Sequence, residues 1–62
     1  MVKFLIRSAS GEWDSELQEW VDYGDGSRFE NDEDAYDVAS QLTGRALRIE
    51  DTNGTISVRI NK

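Results

Sequence analysis

Carboxylates are the side chains of this sequence with the greatest capacity for chemistry. Residues 10–40 contain eleven of the thirteen acids and a single base, Arg28, which gives that segment a net charge of −10. The remainder contains six bases and two acids, a net charge of +4. The chain has no histidine and no cysteine, so imidazole base catalysis, thiolate chemistry and disulfides are excluded. This asymmetry predicts solubility and electrostatic attraction of a basic partner.

The acidic loop at residues 22–27 invites comparison with a calcium-binding loop. An EF-hand loop needs oxygen ligands at its first and third positions, a glycine at the sixth and a later glutamate. Aligning Gly26 with that glycine puts Val21 first and Tyr23 third, and neither side chain can ligate calcium. The sequence therefore predicts a plain turn, no metal site and no cofactor. A weak, non-selective site for divalent cations is the alternative.

Catalysis needs an activated group, and the sequence offers no constellation that would supply one. The serines have no histidine to activate them, and Lys3 and Lys62 lie at a strand edge and in the tail. The segment from Gly24 to Gly26 is too short for a phosphate-binding loop and precedes acids rather than a lysine. We therefore expect a non-enzymatic protein with no catalytic residues.

Two binding hypotheses remain, and they use opposite surfaces. The first is a protein-binding inhibitor or adaptor, whose carboxylates stand in for the phosphates bound by a basic partner. Its predicted contact residues are two aromatics and six acids: Trp20, Asp22, Tyr23, Asp25, Asp32, Glu33, Asp34 and Asp37. The alternative is a nucleic-acid-binding sheet face formed by Lys3, Arg7, Arg48 and Arg59. That face lacks stacking aromatics, and the overall charge of −6 opposes attraction to phosphate.

Each predicted aromatic anchor also has a purely structural interpretation. Trp20 can pack in the core or at its rim, and Tyr23 can serve as cover for the loop. The acidic surface itself has two bland explanations, a well-solvated helix face or adaptation to a halophilic source. The sequence leaves these alternatives open.

The helix that would carry most of these acids is predicted within residues 29–44. Asn31 is suited to cap its N-terminus, and three acids follow in the first turn, where they favour the helix dipole. An apolar stripe at helical spacing consists of Ala35, Val38, Ala39 and Leu42. Gly44 is predicted to end the helix in a left-handed conformation.

The first strand is predicted at residues 2–8, where apolar residues alternate. Residues 12–21 fit both a helical stripe and strand alternation. A turn at Ser10 and Gly11 would place Arg7 opposite Asp14, a complementary pair, which favours a strand.

A hairpin is predicted over residues 46–60. Asn53 and Gly54 lie between two alternating runs, and both residue types tolerate the positive φ of a type I′ turn. That turn would pair Ile49 with Val58 on one face, and Arg48 with Arg59 on the other.

These elements predict an α+β domain over residues 1–62, with a mainly antiparallel four-stranded sheet and one helix in the order ββαββ. The sheet face under the helix would contain Val2, Phe4, Ile6, Trp13, Leu17, Leu47, Ile49, Val58 and Ile60. The opposite face would be open to water and present Lys3, Leu5, Arg7, Arg48 and Arg59.

Several short patterns resemble those of small proteins encoded by bacteriophages, some anti-CRISPR proteins among them. The patterns are Trp-x6-Trp-Val, Arg-Phe, Ala-x2-Val-Ala-x2-Leu from Ala35, and Arg-Ile-Glu-Asp-x-Asn-Gly. The similarity to anti-CRISPR proteins lies in the pairing of the helix with the hairpin, covers residues 29–60 and rests on packing and turn residues. It implies a non-enzymatic accessory protein that binds and modulates a host or phage protein, and it implies no catalytic residues.

The apolar residues of the chain are scattered in short runs. No apolar run reaches the roughly 18 residues that span a bilayer, and the N-terminus lacks the apolar core of a signal peptide. We therefore expect a cytoplasmic protein of a bacterial or archaeal host, with no membrane partner. It would be a monomer or a weak homodimer associating through a sheet edge or through the exposed region around Leu5.

Overall fold

Five antiparallel strands and one helix form the regular structure of residues 2–42 and 46–60, the part of the chain that the computed structural model describes. The elements are β1 Phe4–Ser8, β2 Gly11–Asp14, β3 Glu19–Val21, α1 Asp32–Ala39, β4 Leu47–Asp51 and β5 Ile56–Ile60. The strands lie in the order β3-β2-β1-β4-β5. The α+β class is confirmed, while the predicted count of four strands is one too few.

The extra strand arises because residues 12–21 fold back on themselves. One Asp14 oxygen accepts hydrogen bonds from the backbone N–H groups of Glu16 and Leu17, at 2.9 and 3.0 Å. This turn lets β3 pair with β2, and it brings Trp13 opposite Trp20. The segment is therefore a short hairpin, neither the single strand we predicted nor a helix. Leu17 lies in the turn with 62% of its surface exposed, so its predicted place in the core is wrong.

The pairing of β1 with β2 differs from the predicted register by two residues. Ser8 pairs with Gly11 and Arg7 with Glu12, so the turn consists of residues 9 and 10. A shift of two residues preserves which side chains share a face, because strand side chains alternate. The complementary pair across the strands is therefore Arg7 with Glu12, not Arg7 with Asp14.

The β4–β5 hairpin has the predicted pairing but a different turn. Ile49 pairs with Val58 and Arg48 with Arg59, as expected. Gly54 has a φ of 91°, whereas Asn53 is not among the described residues with positive φ, so the turn is not type I′. The Gly54 N–H donates to the Asp51 carbonyl at 3.0 Å, which closes a longer loop, and the register shifts at residues 49 and 50.

The helix begins as predicted and ends earlier. The Asn31 side chain accepts a hydrogen bond from the Asp34 N–H at 2.8 Å, which confirms the N-cap. The last helical residue is Ala39, and Leu42 packs against the core from beyond the helix. The predicted C-terminal Gly44 lies outside the described residues.

The core lies between α1 and the sheet face formed mainly by β1 and β4. Its buried residues are Ile6, Ala35, Ala39, Leu47, Ile49 and Ile60, with half-buried Phe4, Trp13, Trp20, Phe29, Val38, Leu42 and Val58 around them. The two alanines let the helix backbone approach the sheet closely. Val2, predicted to join this core, precedes β1 and is 41% exposed.

The second face of the sheet is covered over β1 and β2 and open at β5, where Arg59 is exposed, so the expectation that this face is open to water is only partly correct. Leu5 is 2% exposed, so the prediction of an exposed Leu5 region for self-association is wrong, and Glu12 on the same face is fully buried. The loop at residues 22–28 crosses this face and is held there by several hydrogen bonds. The Tyr23 hydroxyl donates to the Ser8 carbonyl at 2.7 Å, and the Gly26 N–H donates to Glu12 at 3.1 Å.

Candidate functional site

The exposed face of α1 carries a group of four carboxylates, Asp32, Glu33, Asp34 and Asp37, which we call the helix acids. Asn31 caps the helix and so fixes three of them in its first turn. Within residues 2–42 and 46–60, no lysine or arginine forms an ion pair with any of the four. Their negative charges therefore face solvent together, and this arrangement can attract a cationic group.

A shallow groove of about 280 Å³ runs between α1 and β5. Three helix acids, Asp32, Glu33 and Asp37, lie on its rim, together with Tyr36 and Val58. Tyr36 is 47% exposed, so the groove offers an aromatic ring and an aliphatic surface beside carboxylates. Neither apolar residue was among the predicted contact residues, although Val58 was predicted on the sheet face under the helix. Tyr36 lies off the apolar stripe of the helix, which indicates exposure, whereas the place of Val58 on an edge strand beside the helix acids depends on the sheet order.

The structure separates the remaining predicted contact residues from the helix acids. Trp20 lies on β3, half-buried, with its ring edge-to-face against Trp13 at 5.2 Å between centroids. Tyr23 lies on the opposite sheet face, where its ring contacts the Arg7 guanidinium at 5.1 Å. Asp22 and Asp25 are exposed in the same loop as Tyr23. The predicted continuous acidic helix-and-loop surface is therefore two separate surfaces.

On the loop-covered face, arginine and glutamate side chains alternate in a connected network. Glu12 lies at its centre and accepts hydrogen bonds from Arg7 at 3.0 Å and from Arg28 at 2.8 Å. Arg7 also donates to Glu50 at 3.0 Å, and Glu50 accepts from Arg48. We call these five residues the arginine–glutamate network. It balances the like charges of Arg7 and Arg48, which are direct cross-strand neighbours.

Two of the four bases predicted to bind nucleic acid, Arg7 and Arg48, belong to this network. Arg7 and Arg48 are held by glutamates, and their side chains are 28% and 32% exposed. Lys3 forms an ion pair with Glu30. Arg59 is exposed on β5 and has no ion pair among the described residues. The four bases therefore do not form one free basic patch.

Glu12 has a strongly perturbed pKa. Burial raises the pKa of its carboxyl, but hydrogen bonds from Arg28, Arg7 and the backbone N–H groups of Gly24 and Gly26 together outweigh burial. The net effect lowers the pKa of Glu12 from 4.5 to about 2. At the other end of the network, the hydrogen bond to Glu50 raises the pKa of Arg48.

We expect acid to weaken the fold through Glu12. Because its pKa is lower in the folded than in the unfolded chain, its stabilising effect is complete above about pH 4.5 and is lost as pH falls towards about 2. The loss should reach about 2–3 kcal/mol of unfolding free energy, allowing for the partial exposure of the arginines. Urea unfolding at several pH values would measure it. The Glu12→Gln variant, which lacks the carboxylate, should show a shallower decline over the same range, and equal slopes would contradict the prediction.

No group of three or more acidic side chains in residues 2–42 and 46–60 is arranged to hold a metal ion. No helix in these ranges is long and apolar enough to cross a membrane. Comparison of the chain with protein-family models, with curated proteins and with solved structures gives no match. The resemblance to phage accessory proteins therefore stays a prediction.

Proposed function

We propose that this chain is a non-enzymatic protein-binding module that uses the helix acids to bind a basic partner. One observation supports the proposal above others: the helix acids are exposed and unpaired among the described residues, whereas Arg7, Arg28 and Arg48 are held by buried glutamates. Charge free to act on a partner is therefore mainly negative, and its densest group, four acids within residues 32–37, lies on α1. Complementary charge of this kind raises association rates and selects partners of opposite sign.

The proposed role is that of a phage-type accessory inhibitor or adaptor acting in the cytoplasm of a bacterial or archaeal host. A basic partner that normally binds nucleic acid fits this role, because carboxylates spaced along a helix can occupy sites that otherwise hold phosphates. The groove beside the helix acids adds Tyr36, a residue type enriched at interface hot spots. Direct nucleic-acid binding ranks second, because Arg7 and Arg48 are already held by ion pairs.

Neutralising two helix acids should weaken partner binding. The variant Glu33→Gln/Asp37→Asn removes two negative charges and keeps side-chain size, and it avoids adding lysines that would oppose the helix dipole. Each exposed charge contributes up to about 1 kcal/mol to the free energy of binding, so the affinity for the partner should fall by about tenfold. The partner is first isolated by pull-down from bacterial lysate after nuclease treatment, and affinities are then measured by calorimetry.

The matched control is Glu16→Gln/Glu19→Gln, which removes the same charge from the exposed β2–β3 hairpin. This control should bind within about twofold of the unmodified protein, because its acids lie away from α1. Equal losses in both variants would indicate an effect of overall charge and would contradict the proposal. Recovery of nucleic acid, with proteins lost on nuclease digestion and binding reduced by Arg59→Glu, would favour the second candidate.

A further inference from the structure

Strand β5 lies at an edge of the sheet with one side unpaired. It pairs with β4, and no other strand in residues 2–42 and 46–60 lies along it. The chain contains no proline, so each residue of β5 keeps a backbone N–H. Alternate residues of such an edge direct N–H and C=O groups outward, which makes it a template for a further strand.

The groove of the helix acids adjoins this edge. Val58 belongs to β5 and lines the groove together with Tyr36 and three helix acids on α1. A strand added along β5 would place alternate side chains on the α1 side of the sheet, since side chains alternate between faces. Those side chains would meet an aliphatic and aromatic surface rimmed by carboxylates. A lysine or arginine side chain matches both the apolar surface and the acidic rim, because its stem is apolar and its end is cationic.

We propose that β5 binds an extended segment of the partner as a sixth strand, with lysine or arginine at alternate positions reaching into the groove. The inference deepens the proposed function and rests on it, because the helix acids select the charge of the segment. Backbone hydrogen bonds to β5 would provide affinity and the groove would provide specificity, as in other cases of strand addition.

The same features disfavour a second copy of this chain as the occupant. Each copy carries a net charge of −6, so two acidic helices would be brought close together at a shared edge. The exposed Arg59 on β5 would also be brought towards its counterpart. Like charges directly opposite each other destabilise strand pairing.

A synthetic probe tests the inference without knowledge of the partner. The probe is a capped six-residue peptide that alternates lysine and valine, titrated into the labelled protein and followed by NMR. We expect shifts in the amide signals of Ile56–Ile60 and of α1, and at least about tenfold slower hydrogen exchange at the outward amides of β5.

The control peptide has the same sequence and charge, but every backbone amide is N-methylated, so it cannot pair with a strand. It should bind at least about tenfold more weakly, because the backbone hydrogen bonds are lost. The Glu33→Gln/Asp37→Asn variant should bind the unmodified peptide more weakly than the unsubstituted protein does. The Glu16→Gln/Glu19→Gln variant should bind it as well as the unsubstituted protein.

The outcomes separate this inference from the function on which it rests. Equal binding of both peptides, weakened in each case by Glu33→Gln/Asp37→Asn, would support the acidic surface and overturn strand addition. Absence of binding at millimolar peptide would also overturn strand addition, and the pull-down would then judge the proposed function alone. A third outcome is that hydrogen exchange at the β5 amides slows as protein concentration rises in the absence of peptide. That result would assign the edge to a second copy and overturn the proposal.

Discussion

Replacing Glu12 with glutamine is expected to lower the free energy of unfolding by about 3–4 kcal/mol, although the change removes no apolar contact. Glu12 is fully buried and accepts hydrogen bonds from Arg7, Arg28 and the Gly26 N–H. A glutamine at this position replaces one of the accepting oxygens with an N–H₂ group. That hydrogen-bond donor would then face the N–H donors that the carboxylate binds in the native protein. It also leaves two guanidinium groups without their shared negative charge.

This loss is large for so short a chain. A protein of 62 residues has about 3–9 kcal/mol of unfolding free energy, so Glu12→Gln should shift the urea midpoint strongly or leave the chain partly unfolded at 25 °C. Fluorescence of Trp13 and Trp20, which pack against the core, reports the transition. The matched control is Glu19→Gln on the adjacent strand, where an exposed side chain should change stability by at most about 0.5 kcal/mol. A midpoint for Glu12→Gln equal to that of the control would refute a central role for this carboxylate.

Replacing Gly11 with alanine should cost about 3–5 kcal/mol, for two separate reasons. Gly11 has a φ of 128°, which is strained for any residue with a Cβ atom. A Cβ atom at this position would also lie 2.1 Å from the Val21 carbonyl oxygen. Val21 is backbone-paired with Glu12, so the contact cannot be relieved without disturbing the pairing of β2 with β3.

Gly24 supplies a control that separates the two reasons. It has a φ of 100°, but a Cβ atom there would meet no heavy atom within 4 Å. Gly24→Ala therefore reports the backbone strain alone, about 1–2 kcal/mol. The difference between the two variants in urea unfolding measures the steric contact with Val21. Equal effects would show that the close approach carries no cost.

The helix and the long hairpin were predictable because local interactions determine them. The cap formed by Asn31 on the Asp34 N–H spans three residues, and the acids of the first turn follow directly from it. The pairing of Ile49 with Val58 follows from alternation on both sides of one connecting loop, although the loop is longer than the turn we predicted. The exposed helix acids, which carry the proposed function, belong to this predictable part.

Errors arose where two local interpretations were equally consistent. Alternation assigned Arg7 to the correct face, yet it could not distinguish pairing with Asp14 from pairing with Glu12, since both registers oppose an acid to a base. The turn at residues 15–18 was missed because its stabilising interaction, the Asp14 side chain on the N–H groups of Glu16 and Leu17, leaves no glycine or proline signal.

Local sequence patterns were enough to predict the α+β class, the capped acidic helix and the faces of β1, β2, β4 and β5, because each depends on residues close together in the chain. The burial of Glu12, by contrast, could be seen only in the folded chain, since its partner Arg28 lies 16 residues away on a loop that crosses the sheet. The same is true of the groove, which joins α1 to Val58, and of the open edge at β5. Burial and exposure of these groups depend on which distant segments meet, and alternation along a strand carries no information about what covers its two faces.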